Sequence, residues 1–233
     1  MPRSKPTSEP AKCGDTSKTL IYKEIRRSII MGHRKPGERL DLDVLSKRYG
    51  TSVTPVRDAL HMLGQEDLVT IKPRSGYFVT HVTLKQLRDL LELRKILEMA
   101  AIERAAVNIT DEQLEQLQHL HAGYTGDDDE SYDRYTDENR RFHYLIAQAS
   151  GNRELADMLG HLHDRMARFM VLCRVGKMLE VRHARLVEAL RTHDVEVARQ
   201  AMLDEVNETR ETILERVIQE DGAFWRLGDY TAK

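Results

Sequence analysis

Four side chains in the second half of the sequence have the types that hold a cation: Asn139, His143, His183 and Glu205. Asn139 and His143 are four residues apart, which places them on one face of a helix. His183 precedes Leu186, Val187 and Leu190 at i+3, i+4 and i+7, so it sits on an inward stripe. Glu205 follows 22 residues later, in the last helix. A bundle that aims all four at one centre offers two imidazoles, one carboxylate and one amide. That set suits a borderline divalent ion, zinc, nickel or manganese. The same groups can instead satisfy one another as a hydrogen-bonded core cluster without metal. The sequence leaves both readings open.

Arg94 lies within "LLELRKIL", among Leu and Ile on a helix that must be largely buried. Its planar guanidinium can grip an effector carboxylate with two parallel bonds. It can also pair with Glu98 at i+4, or with Glu92. His119, His121, His161 and His163 fall at solvent-type or mixed positions and read as ordinary helix residues. A metal-dependent enzyme would use Glu205 as general base with His143 and His183 as ligands. No His-Glu-x-x-His run or nucleophile motif supports that alternative. The helical half could also be a dimerisation module alone.

The elements that carry these residues are mostly helical. Ile21, Ile25 and Ile29 recur every four residues, predicting a first helix over 17–31. Pro36 and Gly37 break the chain, Asp41 caps a short helix over 42–49, and Gly50 ends it. Ser52 or Thr51 caps a third helix, with Pro55 in its first turn, where no backbone N–H is needed. Val56, Ala59, Leu60 and Leu63 face inward there, so Thr54, Arg57 and His61 point outward. "LVTIKPRSGYFVT" reads as strands over 68–72 and 77–81 around a basic turn. Beyond Val82 the pattern is helical only. Thr83 with Gln86, and Thr110 with Gln113, are capping boxes for helices over 84–108 and 111–123. Further helices are predicted over 131–149, 153–174, 178–192 and 194–219, with "GDDDES" as an acidic loop.

Three short helices and a two-stranded ribbon make a winged helix-turn-helix. Its third helix fits the major groove, and the polar residues at its N-terminus then meet base edges. The ribbon tip, Lys72, Arg74, Ser75 and Gly76, can reach sugar-phosphate or the minor groove. The fold class is therefore mainly α: an N-terminal winged helix-turn-helix with a small β-ribbon, then an antiparallel bundle of six or seven helices. The expected divisions are a disordered tail (1–17), the winged head (18–82), the helical domain (83–220) and a C-terminal tail (221–233).

Charge divides along the same line. Residues 1–80 carry 15 Lys and Arg against 9 Asp and Glu, and residues 81–233 carry 21 against 29. A basic head suits phosphate, because Lys and Arg release its counterions; an acidic body does not. The apolar runs are too short to cross a bilayer, and the first residues lack the apolar centre of a secretory signal. Two cysteines, Cys13 and Cys173, imply no disulfide framework and a cytoplasmic setting.

The stretch "KPGERLDLDVLSKRYGTSVTPVRDAL…GQEDLVTIKPRSGYFV" resembles the DNA-binding domain of GntR-family repressors. "LRKILEMAA", "RFHYLIAQASGN" and "RHARLVEAL…DVEVARQAM" resemble the ligand-sensing, FCD-type domain of that family's FadR branch. The resemblance spans roughly residues 18–218. It implies a two-fold dimer on a palindromic operator. It places Ser52, Val53, Thr54 and Arg57 where the family reads or clamps DNA, and "PRSG" at the wing tip. The family often has Arg where this chain has Val53, which can offer only apolar contact, for example to a thymine methyl. The resemblance also implies a small organic acid as effector. Many members hold a metal by an Asp and three His, and those places fall on Asn139, His143, His183 and Glu205. The Asp has become Asn139 and the last His has become Glu205, so the carboxylate has moved across the site.

Overall fold

The computed structural model describes residues 17–120, 128–173, 179–219 and 225–226. The stretch read as a tail at 1–16, the start of the acidic loop and His121 lie outside the described residues.

Ile21, Ile25 and Ile29 are buried along one side of α1 (Ser17–Ile30), against α3 (Val53–Gln65). Between them lies α2 (Leu42–Tyr49). The Asp41 side chain accepts from the backbone N–H groups of Asp43 and Val44 at its start. Gly50 closes it in the left-handed region, at φ 61°. Val56, Ala59, Leu60 and Leu63 of α3 complete this small core, as their spacing predicts. Ser52 holds the N-cap position of α3 but its side chain makes no capping bond.

The ribbon is a three-stranded antiparallel sheet in the order β1 (Arg39–Leu40), β3 (Gly76–Val79), β2 (Val69–Lys72). β3 begins one residue earlier than the predicted 77–81, because Lys72 pairs with Gly76 directly across a tight turn, and it ends earlier, at Val79. β1 escapes sequence reading, since two residues carry no periodicity. It is held where Val79 donates to the Glu38 carbonyl at 2.9 Å and Gly37 donates to the Val79 carbonyl at 2.8 Å.

Among the described residues, six helices form the second unit: α4 (Leu84–Asn108), α5 (Asp111–His119), α6 (Asp129–Ala149), α7 (Arg153–Leu172), α8 (Leu179–Arg191) and α9 (Val195–Gln219). Both capping boxes form, Thr83 with Gln86 and Thr110 with Gln113. α4 runs through the middle, touching α6, α7, α8 and α9. A two-residue strand, β4 (Val82–Thr83), pairs in parallel with β5 (Trp225–Arg226), a segment read from sequence as tail. No helix among the described residues is long and apolar enough to cross a membrane.

The head rests on the bundle through ionic contacts to α6 and α7. Arg26 reaches Glu66 at 3.0 Å within the head and Asp164 at 2.9 Å on α7. Arg165 pairs with Asp67 at 3.2 Å, and Arg27 pairs with Asp133. Arg168 is buried and donates to the Thr80 carbonyl at 2.8 Å, next to the short hinge at 81–83 that joins the two units. With no ion-pair partner among the described residues, burial pulls its guanidinium down to about 10.

Candidate functional site: a nucleic-acid interface and a buried polar centre

The reading surface follows from the packing of α3. With Val56, Ala59 and Leu60 at zero exposure, the opposite side of the helix must face solvent, and Ser52, Thr54, Arg57 and His61 do. Val53 is half-buried. Arg57 makes no ion pair among the described residues. His61 Nε2 lies 3.3 Å from the Tyr77 hydroxyl, with the rings edge to face, which ties the wing to the helix.

At the wing, Lys72, Arg74 and Ser75 are exposed. Arg74 and Gly76 take positive φ, 62° and 109°, and Ser75 donates to the Lys72 carbonyl at 3.1 Å. The turn therefore projects its two cations outward. Lys72 also lies over the Phe78 ring at 5.0 Å. Arg39 borders Gly76 from β1, adding a cation that only the third strand brings there. A convex helix flanked by Arg57, Lys72, Arg74 and Arg39 has the shape and sign for a duplex.

The bundle centre contains the four candidate ligands, all buried, but distributes them among different partners. Arg94, fully buried, sits at the middle of α4. Its Nη2 donates to Glu205 Oε2 at 2.7 Å and lies 3.3 Å from His143 Nε2. Its Nε is 3.6 Å from Glu98 Oε1, an ion-pair separation beyond hydrogen-bond reach. The i+4 pairing and a second, unforeseen carboxylate therefore both engage it. Asn139 turns to His163, with Nδ2 3.3 Å from Nδ1. His183 stacks on Phe142, centroids 3.7 Å apart, and meets His143 edge-on at 5.4 Å.

The group whose ligand atoms do converge is Glu98, His143 and His163, all within 4.8 Å of one another. His163 Nε2 lies 2.8 Å from Glu98 Oε1, and His143 Nδ1 lies 2.9 Å from the same oxygen, though off-line for a well-directed hydrogen bond. His163 is thus no ordinary helix residue. Its position four after Leu159 and three before Met166, both buried, was the signal that sequence reading passed over. Glu205 is steadied further by Thr209, which donates at 3.0 Å and accepts from Arg182 at 3.2 Å.

Electrostatics follow these contacts. Burial alone would raise Glu98, but the imidazoles beside it, His143 first, hold its carboxyl well below the ordinary value. Burial also opposes ionisation of Glu205, and the Arg94 charge outweighs it. Burial pushes His163 down to about 4, with His143 adding to the effect, so its ring is neutral. Several buried polar atoms at this centre have no hydrogen-bond partner: Arg94 Nε and Nη1, Glu98 Oε2, Asn139 Oδ1 and the Tyr135 hydroxyl.

α7 joins the two regions. Its inner face carries His163, while Asp164, Arg165 and Arg168 contact the head.

Comparison with known proteins agrees with this division. The family described as "Bacterial regulatory proteins, gntR family" matches residues 18–79, and the FCD domain matches residues 89–207. The HTH-type transcriptional regulator YdhC of Bacillus subtilis (strain 168) is 29% identical over 211 residues, covering 86% of this chain and 92% of its own. The HTH-type transcriptional repressor RspR of Escherichia coli (strain K12) is also 29% identical, covering 88% and 91%. The solved structure of E. coli McbR/YncC superposes with a TM-score of 0.65 at 24% identity, covering 89% of this chain and 100% of that one. These relatives are regulators, not enzymes. With a GntR head and an FCD bundle in the expected order, the chain belongs to the gntR family of bacterial transcriptional regulators, in the group that carries an FCD domain.

Proposed function

We propose that this chain is a cytoplasmic, ligand-responsive repressor that binds a palindromic operator as a two-fold dimer and responds to a small organic acid. The observation that carries the reading is the pairing of two surfaces. An exposed cationic α3 and wing stand on one unit, and a buried Arg94 whose Nη1 has no hydrogen-bond partner, and whose Nε meets Glu98 only at ion-pair distance, lies in the other. Arg94 Nη1 has no hydrogen-bond partner and can donate to an effector carboxylate, while the edge that Nε shares with Nη2 faces Glu98 and Glu205. The Tyr135 hydroxyl and Asn139 Oδ1 are further unpaired polar atoms at the same centre. The division proposed from sequence, 18–82 for the head and 83–220 for the sensor, assigns one task to each.

In this reading Thr54 and Arg57 reach base edges in the major groove, with Ser52 and Val53 at the helix start, while Lys72, Arg74, Ser75 and Gly76 hold the backbone beside it. The effector acts only through a difference in affinity between DNA-competent and incompetent arrangements of the heads. RspR, a relative by sequence, is named a repressor, which favours that sign.

A zinc, nickel or manganese ion on Asn139, His143, His183 and Glu205 would need those donors turned to one point. Glu205 is bonded to Arg94, Asn139 approaches His163, and the His183 ring is stacked on Phe142, so the four do not fit one ion. No step of the proposed response passes through a metal.

The test is a gel shift with the DNA upstream of the protein's own gene, repeated with a panel of small mono- and dicarboxylic acids. The expected result is a sequence-specific shift that one of the acids weakens. Equal operator affinity with every acid, and no acid-dependent change in melting temperature, would reject the sensing half of the proposal.

A further inference from the structure

We propose that Arg94 is itself the resident cation of the bundle centre and that Glu205 is the residue that makes this centre refuse a divalent metal. The proposal rests on which atoms meet. Arg94 Nη2 lies between His143 Nε2, at 3.3 Å, and Glu205 Oε2, at 2.7 Å. Those are donor atoms of two of the four residues whose types suit a metal. A dication bound between them would have to displace the guanidinium, and Glu98, 3.6 Å from its Nε, would then be left to face the buried Arg94 charge without Glu205.

The hydrogen bonds have a consistent direction without a metal. Asn139 Nδ2 donates to His163 Nδ1, and His163 Nε2 donates to Glu98 Oε1. His163 is then a neutral imidazole with both nitrogens engaged. Arg94 donates to His143 Nε2 and to Glu205, and Thr209 donates to the second Glu205 oxygen. A metal at Glu98, His143 and His163 would have to replace the proton through which His163 holds Glu98, and would lie beside the guanidinium as a like charge. Histidine at position 205 could not neutralise Arg94, whereas the carboxylate of Glu205 does. The chemical class that the centre accepts is therefore an anion presented to Arg94, in competition with Glu205. This last step rests on the proposed effector reading, but metal refusal does not.

Elemental analysis and thermal shift with zinc, nickel and manganese decide the matter, using the full-length protein. Wild type is expected to purify with less than roughly one-tenth equivalent of metal and to show no melting shift with any of the three ions or with EDTA. Two variants should gain what wild type lacks. In Glu205→His combined with Asn139→Asp, a carboxylate returns to the His143 face and the partner of Arg94 is removed, so about one equivalent should bind and raise the melting temperature. In Arg94→Met the carboxylates Glu98 and Glu205 lose their cation, so a divalent ion should restore part of the lost stability. Wild type carrying one equivalent that EDTA removes with a fall in melting temperature would overturn the proposal. So would two variants that are folded by circular dichroism and still indifferent to all three metals. Failure of every acid to act on operator binding would remove the effector reading and leave the metal result standing.

Discussion

The His163 ring on α7 donates to the Glu98 carboxylate on α4 across 2.8 Å, in a region closed to solvent. The pair makes stability depend on pH in a definite direction. The folded value of His163 is depressed, to about 4 from an ordinary 6.5. Between those values the unfolded chain binds a proton that the folded chain does not, so stability falls as pH drops through the window. Glu98 acts in the same sense at lower pH, because its carboxylate is also favoured in the fold. The His163 contribution is at most about 3 kcal/mol. Urea unfolding at pH 7.5, 6.0 and 5.0 should give a falling series, and His163→Gln should flatten it. Parallel series in the two proteins would reject the assignment.

Arg57 and Arg74 should fail differently. Arg57 stands on the exposed side of α3, and Arg74 at the wing turn. Arg57→Ala is expected to cost roughly 1–3 kcal/mol of operator affinity and to relax preference at one base position. Arg74→Ala should weaken all sequences alike and reduce the salt slope by about one. Both side chains are exposed, so melting temperatures should stay within about a degree of wild type. Anisotropy titrations at several salt concentrations separate the two effects.

Two glycines with positive φ offer an internal comparison. A Cβ at Gly50, φ 61°, would meet nothing within 4 Å, whereas one at Gly37, φ 81°, would fall 2.7 Å from the His81 ring. Gly50→Ala should cost about 1 kcal/mol from backbone conformation alone. Gly37→Ala should cost measurably more, since His81 at the hinge must also move. Denaturant midpoints read the difference directly.

The Arg168 bond to the Thr80 carbonyl predicts where the two units come apart. Arg168→Met removes the donor while keeping much of the apolar stem. Amide exchange across 80–83 should speed up by about tenfold, while α4 and α6 keep wild-type protection. Unchanged exchange at the hinge would mean that the ionic contacts of Arg26 and Arg165 suffice to hold it.

The parts of the molecule that were readable from sequence are those with local causes. The apolar spacing of Val56, Ala59, Leu60 and Leu63 requires the outward face that Thr54 and Arg57 occupy. The two capping boxes fix the starts of α4 and α5 because donor and acceptor are three residues apart. What the sequence concealed depends on distant partners. Arg94 announces a buried charge, but its choice of Glu205 spans 111 residues, and Glu98 alone was visible as a neighbour at i+4. Arg168 answers a backbone carbonyl 88 residues away, which no side-chain pattern encodes. Asn139 and His143 do share a helix face, yet the rotation between them sends one to His163 and the other to Arg94.

The two-sided character of α7 has a consequence for how such a regulator changes over generations. One rigid rod presents an imidazole to the receptor and, at the next residues, an acid and two bases to the reading head. Turning that rod by a few degrees redraws both sets of contacts at once, since a helix cannot twist at residue 163 and stay still at 164. Chemical taste and grip on the genome are thereby inherited together. A lineage that retunes what it senses must rebuild the seat of its head in the same stroke.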